Sequence, residues 1–423
     1  MNILINSDHA SSRQGTGIST YALTLAQAAV AGRHKVAWLS GAPASDRGDP
    51  LADAAAVSDF QPQVRGPRAW AQTASQMIRG VLASKAGARP IVRSDITVDP
   101  YSSLAPHPIY LAPELYVRAH YRHTFLRAFT EVTVNADIDI LHLTAPLPVK
   151  MRGVKTVVTI HDLVPIRLPY TTPDDKNEFV ARIRRSAQDS DIVVTVSEAS
   201  KADLVSLLDI DPAKVAVTYQ SCALDPLSQE ESAKLPIGLA RFGLTPSQYI
   251  LFVGAQEPKK NLKRLVEAYL EVDTAMPLVL AGPRGWLWES NLGAALAPLS
   301  EKSRARVRLI GYVDSEDLRR LYAGAAMLAI PSLYEGFGLP ALEAMNAGCP
   351  VLATKTSSLP EICGEAALFV NPFDRNDIRD KLELMLSDIA LRQSLAAAGK
   401  LQAKRFSFET YVERLCAIYA RLT

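Results

Sequence analysis

Residues 327–343 read Met327-Leu328-Ala329-Ile330-Pro331-Ser332-Leu333-Tyr334-Glu335-Gly336-Phe337-Gly338-Leu339-Pro340-Ala341-Leu342-Glu343. The run begins with a short apolar strand, passes through a glycine-rich turn, and places Pro340 where a helix takes its first residues. That order delivers a helix N-terminus to the carboxyl end of a strand, the place where open α/β sheets bind ligands. The backbone N–H groups of a first helical turn lack intrahelical partners and attract an anion such as a diphosphate. Gly336 and Gly338 offer no side chain to obstruct its approach. Glu335 before the helix and Glu343 one turn inside it would present two carboxylates to one crevice, each able to accept hydrogen bonds from hydroxyls.

Outward from this segment the same texture recurs. Strands are expected near Tyr249–Gly254, Pro277–Ala281, Val307–Gly311, Pro350–Thr354 and Ala367–Asn371. In the first half they are expected near Asn2–Asn6, Lys35–Leu39, Ile138–Leu143, Lys155–Ile160, Asp191–Val196 and Val215–Tyr219. Helical patterns separate them, which predicts two α/β domains with parallel sheets. A chain of 423 residues exceeds what one core usually holds. The polar, proline-bounded stretch Asp225–Pro236 reads as the connection. Expected boundaries are 1–228, 229–404 and a terminal helix in 405–423, where Tyr411, Leu415, Ile418 and Tyr419 recur at helical spacing.

Composition removes several classes of function. Lys plus Arg number 46 against 44 Asp plus Glu, so net charge gives no argument for nucleic acid. The four cysteines, Cys222, Cys349, Cys363 and Cys416, lack metal or disulfide spacing and fit a reducing compartment. No apolar run reaches a membrane span, and residues 1–8 are too short for a secretory leader. A cytoplasmic enzyme is expected. From Gln61 to Arg93 the chain has six positive residues and no acid beside Trp70, Met77, Ile78, Val81 and Leu82. That stretch reads as a basic amphipathic helix able to touch an anionic membrane surface, or as a solvated helix or loop. Three D-x-D triplets, at 137–139, 189–191 and 209–211, precede strands or lie near such junctions. Their recurrence at strand entrances argues for turn chemistry rather than metal binding.

Three further strand ends carry candidate chemistry. After Gly254 come Ala255-Gln256-Glu257-Pro258-Lys259-Lys260-Asn261, where Lys260 would neutralise a departing diphosphate and Lys259 reads as a solvated neighbour. Gly15 and Gly17 follow the first strand and let a ligand reach backbone N–H groups across a cleft. His161, at the end of another strand, can donate to a sugar hydroxyl or a phosphate oxygen.

These residues resemble glycosyltransferase family 4, across essentially the whole chain. The E-x7-E pair Glu335 and Glu343 within YEGFGLPALEAM is the most specific marker, followed by GCPVLAT (348–354) and SSLPEICGEAA (357–367). HDLVP (161–165) and VGAQEPKKN (253–261) are most similar to a mannosyltransferase-B-like branch that builds surface polysaccharides. The resemblance implies a GT-B fold: two Rossmann-like domains facing across a cleft, the last helix crossing back to the first. It implies retention of anomeric configuration without a required metal or other cofactor, by front-side attack in which the departing phosphate oxygen takes the acceptor proton.

By the same resemblance Glu335 would contact the donor sugar, Glu343 the ribose and Lys260 the diphosphate. The backbone of Gly336, Phe337, Gly338 and Leu339 would hold phosphate and sugar, with Gly254 in the same site. Tyr312 and Val313 would lie against the base, Gly15 and Gly17 near the diphosphate, and His161 at donor sugar or acceptor. Many members carry an arginine shortly after the glycine matching Gly254, where Ala255 and Gln256 stand here, so phosphate binding would rest on Lys260. The implied substrates are a nucleotide sugar, GDP-mannose first with dTDP-rhamnose and UDP-sugars as alternatives, and a glycan or polyprenyl-diphosphate-linked acceptor. The rival readings are a noncatalytic sugar-nucleotide-binding subunit of a glycan assembly complex and a transferase acting from a UDP-sugar on a small molecule.

Overall fold

The computed structural model describes residues 1–7, 17–43, 77, 78, 80–82, 84–91 and 107–422. Two sheets organise the chain. The first is built from β1 (Asn2–Asn6), β2 (Lys35–Ser40), β3 (Lys85–Pro90), β4 (Ile109–Leu111), β5 (Thr130–Val134), β6 (Ile140–Leu143), β7 (Val149–Lys150), β8 (Lys155–Thr159), β9 (Ile192–Thr195) and β10 (Val215–Val217). Its spatial order is β10-β9-β8-β6-β1-β2-β4-β3-β5-β7. The second holds β11 (Ile250–Val253), β12 (Leu278–Ala281), β13 (Val307–Gly311), β14 (Met327–Ile330), β15 (Val351–Thr354) and β16 (Ala367–Val370), ordered β13-β12-β11-β14-β15-β16. Among the described residues every pairing is parallel except β3 against β4.

The central strands are continuous apolar runs because helices cover both faces of each sheet. Ile3, Leu4 and Ile5 are fully buried, as are Ile250, Leu251 and Phe252. All twelve strands expected from the sequence form, with ends shifted by a residue or two. The first sheet also contains β3, β4, β5 and β7, which exceed the six strands expected there. Lys85–Pro90 is thus a strand rather than the tail of a basic helix. Most of the rest of the 61–93 stretch, including Trp70, lies outside the described residues. The segment 101–130 resolves in part into the helix Leu115–Leu126.

The connection between sheets is more structured than its composition suggests. Ser228 and Glu231 form a capping box at the start of the helix Gln229–Ala233. Arg319 then pins it, bonding the Asp225 and Pro226 carbonyls and the Glu231 carboxylate. The last helix, Phe408–Tyr419, buries Tyr411, Leu415, Ile418 and Tyr419. It crosses onto the first domain, where the Tyr419 hydroxyl lies 2.7 Å from Nδ1 of the buried His142. Burial and then the nearby His161 push the His142 imidazole down to about 3, so this joint holds a neutral ring at physiological pH.

The D-x-D triplets serve the turns. Asp139 accepts from the Asn2 backbone N–H at 2.7 Å, Asp191 from that of Thr156 at 2.8 Å, and Asp211 caps the turn at Pro212–Lys214.

Candidate active site

The carboxyl ends of β11, β12, β13 and β14 meet at one edge and face the carboxyl end of β8. Loops there place the charged groups. After β11 a 3₁₀ turn at Pro258–Lys260 leads into the helix Leu262–Glu271. Asn261 fixes that turn by donating to the Pro331 and Pro372 carbonyls at 3.0 and 2.8 Å. The Leu333 N–H donates to the Lys259 carbonyl at 2.8 Å. These bonds tie the turn after β11 to the turn after β14.

The result is a short contact between the two residues the sequence singles out. Lys260 Nζ lies 2.7 Å from Glu335 Oε1, and both side chains are nearly buried. Ser332 Oγ donates to the same oxygen at 2.5 Å. Burial raises the Glu335 carboxyl, but Lys260 and Lys259 outweigh it and hold the group below its ordinary value. The backbone of Glu335 is clamped as well: Ser357 Oγ accepts its N–H, and Ser358 Oγ donates to the carbonyls of Glu335 and Phe337.

Lys259 is not the solvated neighbour expected from sequence. Its side chain is 18% exposed and faces Glu257, with Asp162 and Glu335 adding attraction. Burial pulls its ammonium down, yet these carboxylates win and hold it above the usual value. Glu257 moves the other way, raised by burial despite both lysines. The site therefore stores two ammonium groups balanced by internal carboxylates, a combination suited to receiving a polyanion.

Gly338 stands at φ +96° directly before the helix Leu339–Ala347, where no side chain caps the N-terminus. An L side chain there would be strained. Gly336 has a different reason. A Cβ on it would sit 3.0 Å from the His161 carbonyl oxygen and 3.1 Å from the Asp162 side chain, so its bareness serves contact between domains rather than ligand access. Its carbonyl accepts from Ser197 Oγ of the first domain at 2.6 Å. The Phe337 ring turns into the interior against Phe406 and Tyr219, which leaves only its backbone to the crevice.

Glu343 lies one turn in and is 8% exposed. The buried Tyr322 hydroxyl donates to its Oε2 at 2.8 Å. Burial pushes its carboxyl up to about 7 against that hydrogen bond. His161 Nε2 lies 2.9 Å from the Thr144 carbonyl, and its ring meets Tyr21 edge-on at 4.7 Å. Gly254 ends β11 against the Lys260 side chain. Tyr312 is half exposed after β13, and Val313 packs onto the core. Gly17 opens the helix Gly17–Ala31 with clear space where a Cβ would be; Gly15 lies outside the described residues. Gln256, in the stretch where many family members carry an arginine, points inward, donating to the Gly282 carbonyl and accepting from Trp288 Nε1.

Several site residues escaped the sequence reading. Ser332, Ser357 and Ser358 position Glu335, and Tyr322 positions Glu343. Across the cleft Tyr334 donates to Asp203 Oδ2 at 2.5 Å, and Arg167 bonds Oδ1 of the same carboxylate. Glu361 accepts the N–H groups of Glu198 and Ala199 at the start of a first-domain helix, each at 3.0 Å. The serines stand within quoted motifs, whereas nothing in the local pattern marks Asp203 or Tyr322.

Comparison with known proteins agrees with this fold. The family model described as Glycosyltransferase Family 4 matches residues 15–222, and that described as Glycosyl transferases group 1 matches 242–402. The chain is 34% identical over 279 residues to O-antigen chain mannosyltransferase B of Escherichia coli, a match covering 63% of this chain and 71% of that one. Among solved structures, sucrose-phosphate synthase of Thermosynechococcus elongatus superposes with a TM-score of 0.68 at 18% identity, covering 100% of this chain and 99% of that one. Anabaena Alr3699/HepE in complex with UDP and glucose gives 0.65 at 14% identity, with both chains fully covered.

Proposed function

The chain belongs to glycosyltransferase family 4 and has the GT-B fold, and from that premise we propose that it moves mannose from GDP-mannose to a glycan acceptor in the assembly of a surface polysaccharide. The observation that carries this reading is the Lys260–Glu335 contact at the mouth of an uncapped helix N-terminus. Lys260 exchanges Glu335 for the diphosphate and steadies the charge that develops as the sugar departs, with Lys259 beside it in place of the absent arginine. Glu335 then accepts from the sugar hydroxyls and Glu343 from the ribose. Tyr312 and Val313 border the base, Gly17 approaches the diphosphate, and His161 reaches the reacting sugar from the first domain. Residues 1–228 hold the reacting end of the acceptor, 229–404 the donor, and 405–423 tie the two.

Transfer proceeds with retention and without a metal ion in this proposal. Water is excluded where Gly336 meets His161 and Asp162. The test incubates purified protein with GDP-mannose and a mannoside acceptor in a chelating buffer, and reads the product's anomeric configuration by NMR. An α-linked product at rates unaffected by chelator is expected. An inverted product, a chelator-sensitive rate, or preference for another sugar nucleotide would each remove one part of the proposal.

We place the enzyme at the inner surface of a membrane, where a polyprenyl-diphosphate-linked acceptor would lie. No helix among the described residues is long and apolar enough to cross a membrane. Support for a peripheral surface comes from Ile78, Leu82, Phe125 and Leu126, each more than half exposed. Arg122 ties the first pair's segment to the second pair's helix by donating to the Val81 carbonyl. Co-sedimentation with vesicles should rise with anionic lipid content and fall in Leu82→Ser/Phe125→Ser; equal sedimentation with neutral vesicles would count against it.

A further inference from the structure

Behind the turn that carries Lys259 and Lys260 the structure holds a second concavity. Its volume is about 630 Å³, within the range of small-molecule sites. Pro258 and Leu333 form part of its lining, and the bond from the Leu333 N–H to the Lys259 carbonyl joins them. The same two turns present Lys260 and Glu335 to the donor. The hollow and the Lys260–Glu335 contact thus share one pair of strand-end turns.

The lining chemistry is that of a sugar site. Tyr170, contributed by the first domain, and Phe373 of the second are 67% and 61% exposed. Large aromatic faces left open to water at the rim of a polar hollow suit the C–H face of a pyranose, which is apolar while its edge bears hydroxyls. The hollow supplies groups for those hydroxyls. Lys263, Glu267 and Asn291 make no side-chain hydrogen bond to another described residue, although Glu267 and Asn291 are partly buried. Both charge signs are present, which favours a neutral ligand with many donors and acceptors over a polyanion. Arg264, by contrast, is engaged in holding Asn261 and the Pro372 carbonyl and serves as structure.

We propose that this hollow is a carbohydrate subsite that binds units of the acceptor glycan away from its reacting end, with Tyr170 and Phe373 as stacking platforms. The inference rests on the glycan-transfer reading above and adds where the chain lies. It makes the enzyme favour an acceptor that is already an oligosaccharide.

The experiment compares a mannose tetrasaccharide and a single mannoside, both carrying the same aglycone, with GDP-mannose as donor. In Tyr170→Ala and Phe373→Ala, KM for the tetrasaccharide should rise on the order of tenfold, as expected for loss of one stacking face. KM for the mannoside, KM for GDP-mannose and kcat should stay within about twofold, since neither side chain bonds Lys260, Glu335 or Glu343 and the Arg264 guanidinium over the Phe373 ring keeps its bonds to Asn261 and the Pro372 carbonyl. Equal response of both acceptors, or no response of either, overturns the subsite while leaving the transferase intact. Absence of transfer to both acceptors by the unsubstituted protein overturns the proposed reaction and the subsite together. Both substitutions are at exposed positions, and an unchanged unfolding temperature verifies that a KM effect is local.

Discussion

The two sides of the cleft are held by different kinds of contact. On the second-domain side every charged candidate is already bound by protein: Lys260 to Glu335, Glu335 to Ser332, Glu343 to Tyr322. On the first-domain side the neutral partners of His161 include the Thr144 carbonyl and a Tyr21 ring edge. In the proposed reaction the difference tracks the two ligands. A nucleotide sugar brings fixed charges that reward a rigid, preorganised pocket. An acceptor brings neutral hydroxyls whose arrangement varies from glycan to glycan, which rewards shape contributed by loops.

The largest expected effect breaks the preorganised side. Lys260→Ala and Glu335→Gln should each lower kcat on the order of 10²-fold or more, the usual loss for one preorganised electrostatic contact. Lys260→Ala should also lower the unfolding temperature, because Glu335 keeps its burial and loses its nearest cation, an imbalance worth about 3 kcal/mol in buried pairs. Single-turnover kinetics beside calorimetry separates the two consequences. Transfer at the unsubstituted rate in either variant would end the assignment of these residues to the chemistry. His161→Ala belongs to the other side and should spare affinity for the free nucleoside diphosphate.

That asymmetry also decided how much could be read in advance. The donor side was legible because a strand, a glycine turn and a helix start are local, so 327–343 declared both fold and site in seventeen consecutive positions. Most of the twelve expected strands were legible for a related reason: their central residues are apolar on both faces. The four that escaped are short or poorly patterned, and Lys85–Pro90 has a glycine and a proline and little burial. Charge on a turn normally means solvent, and only the tertiary approach of Asp162 and Glu335 gives Lys259 its partners in a buried setting. Asp203 and Tyr322 lie far in sequence from the groups they hold, 131 and 21 positions, beyond any periodic signal.

A middle-sized effect tests whether the first-domain side depends on the second. Tyr334 immediately precedes Glu335 and reaches across to Asp203, which Arg167 anchors. Tyr334→Phe removes one buried hydrogen bond, worth about 1 kcal/mol, and leaves Asp203 with its arginine. Turnover should fall roughly tenfold or less, with a larger radius of gyration in solution scattering as the cleft opens more often. Unchanged scattering together with unchanged turnover would show that the two domains keep their spacing without this bond.

The smallest effect is a pH dependence confined to the donor half. Burial raises the Glu343 carboxyl from 4.5 to about 7 in the ligand-free fold. An acid whose folded value lies above its unfolded value binds more protons when folded. Stability contributed by this group is therefore lost as pH rises from about 4.5 to 7, by at most about 3 kcal/mol from a gap of 7 − 4.5 units. Hydroxyls of a ribose donate to the carboxylate form, so the donor should bind a few-fold more tightly as pH climbs through 7, offsetting part of that loss. Calorimetric titration of the nucleotide sugar at several pH values should show proton release on binding near neutral pH. In Glu343→Gln the release should vanish, since an amide cannot give up the proton; release that persists in the variant would move the ribose contact to another residue.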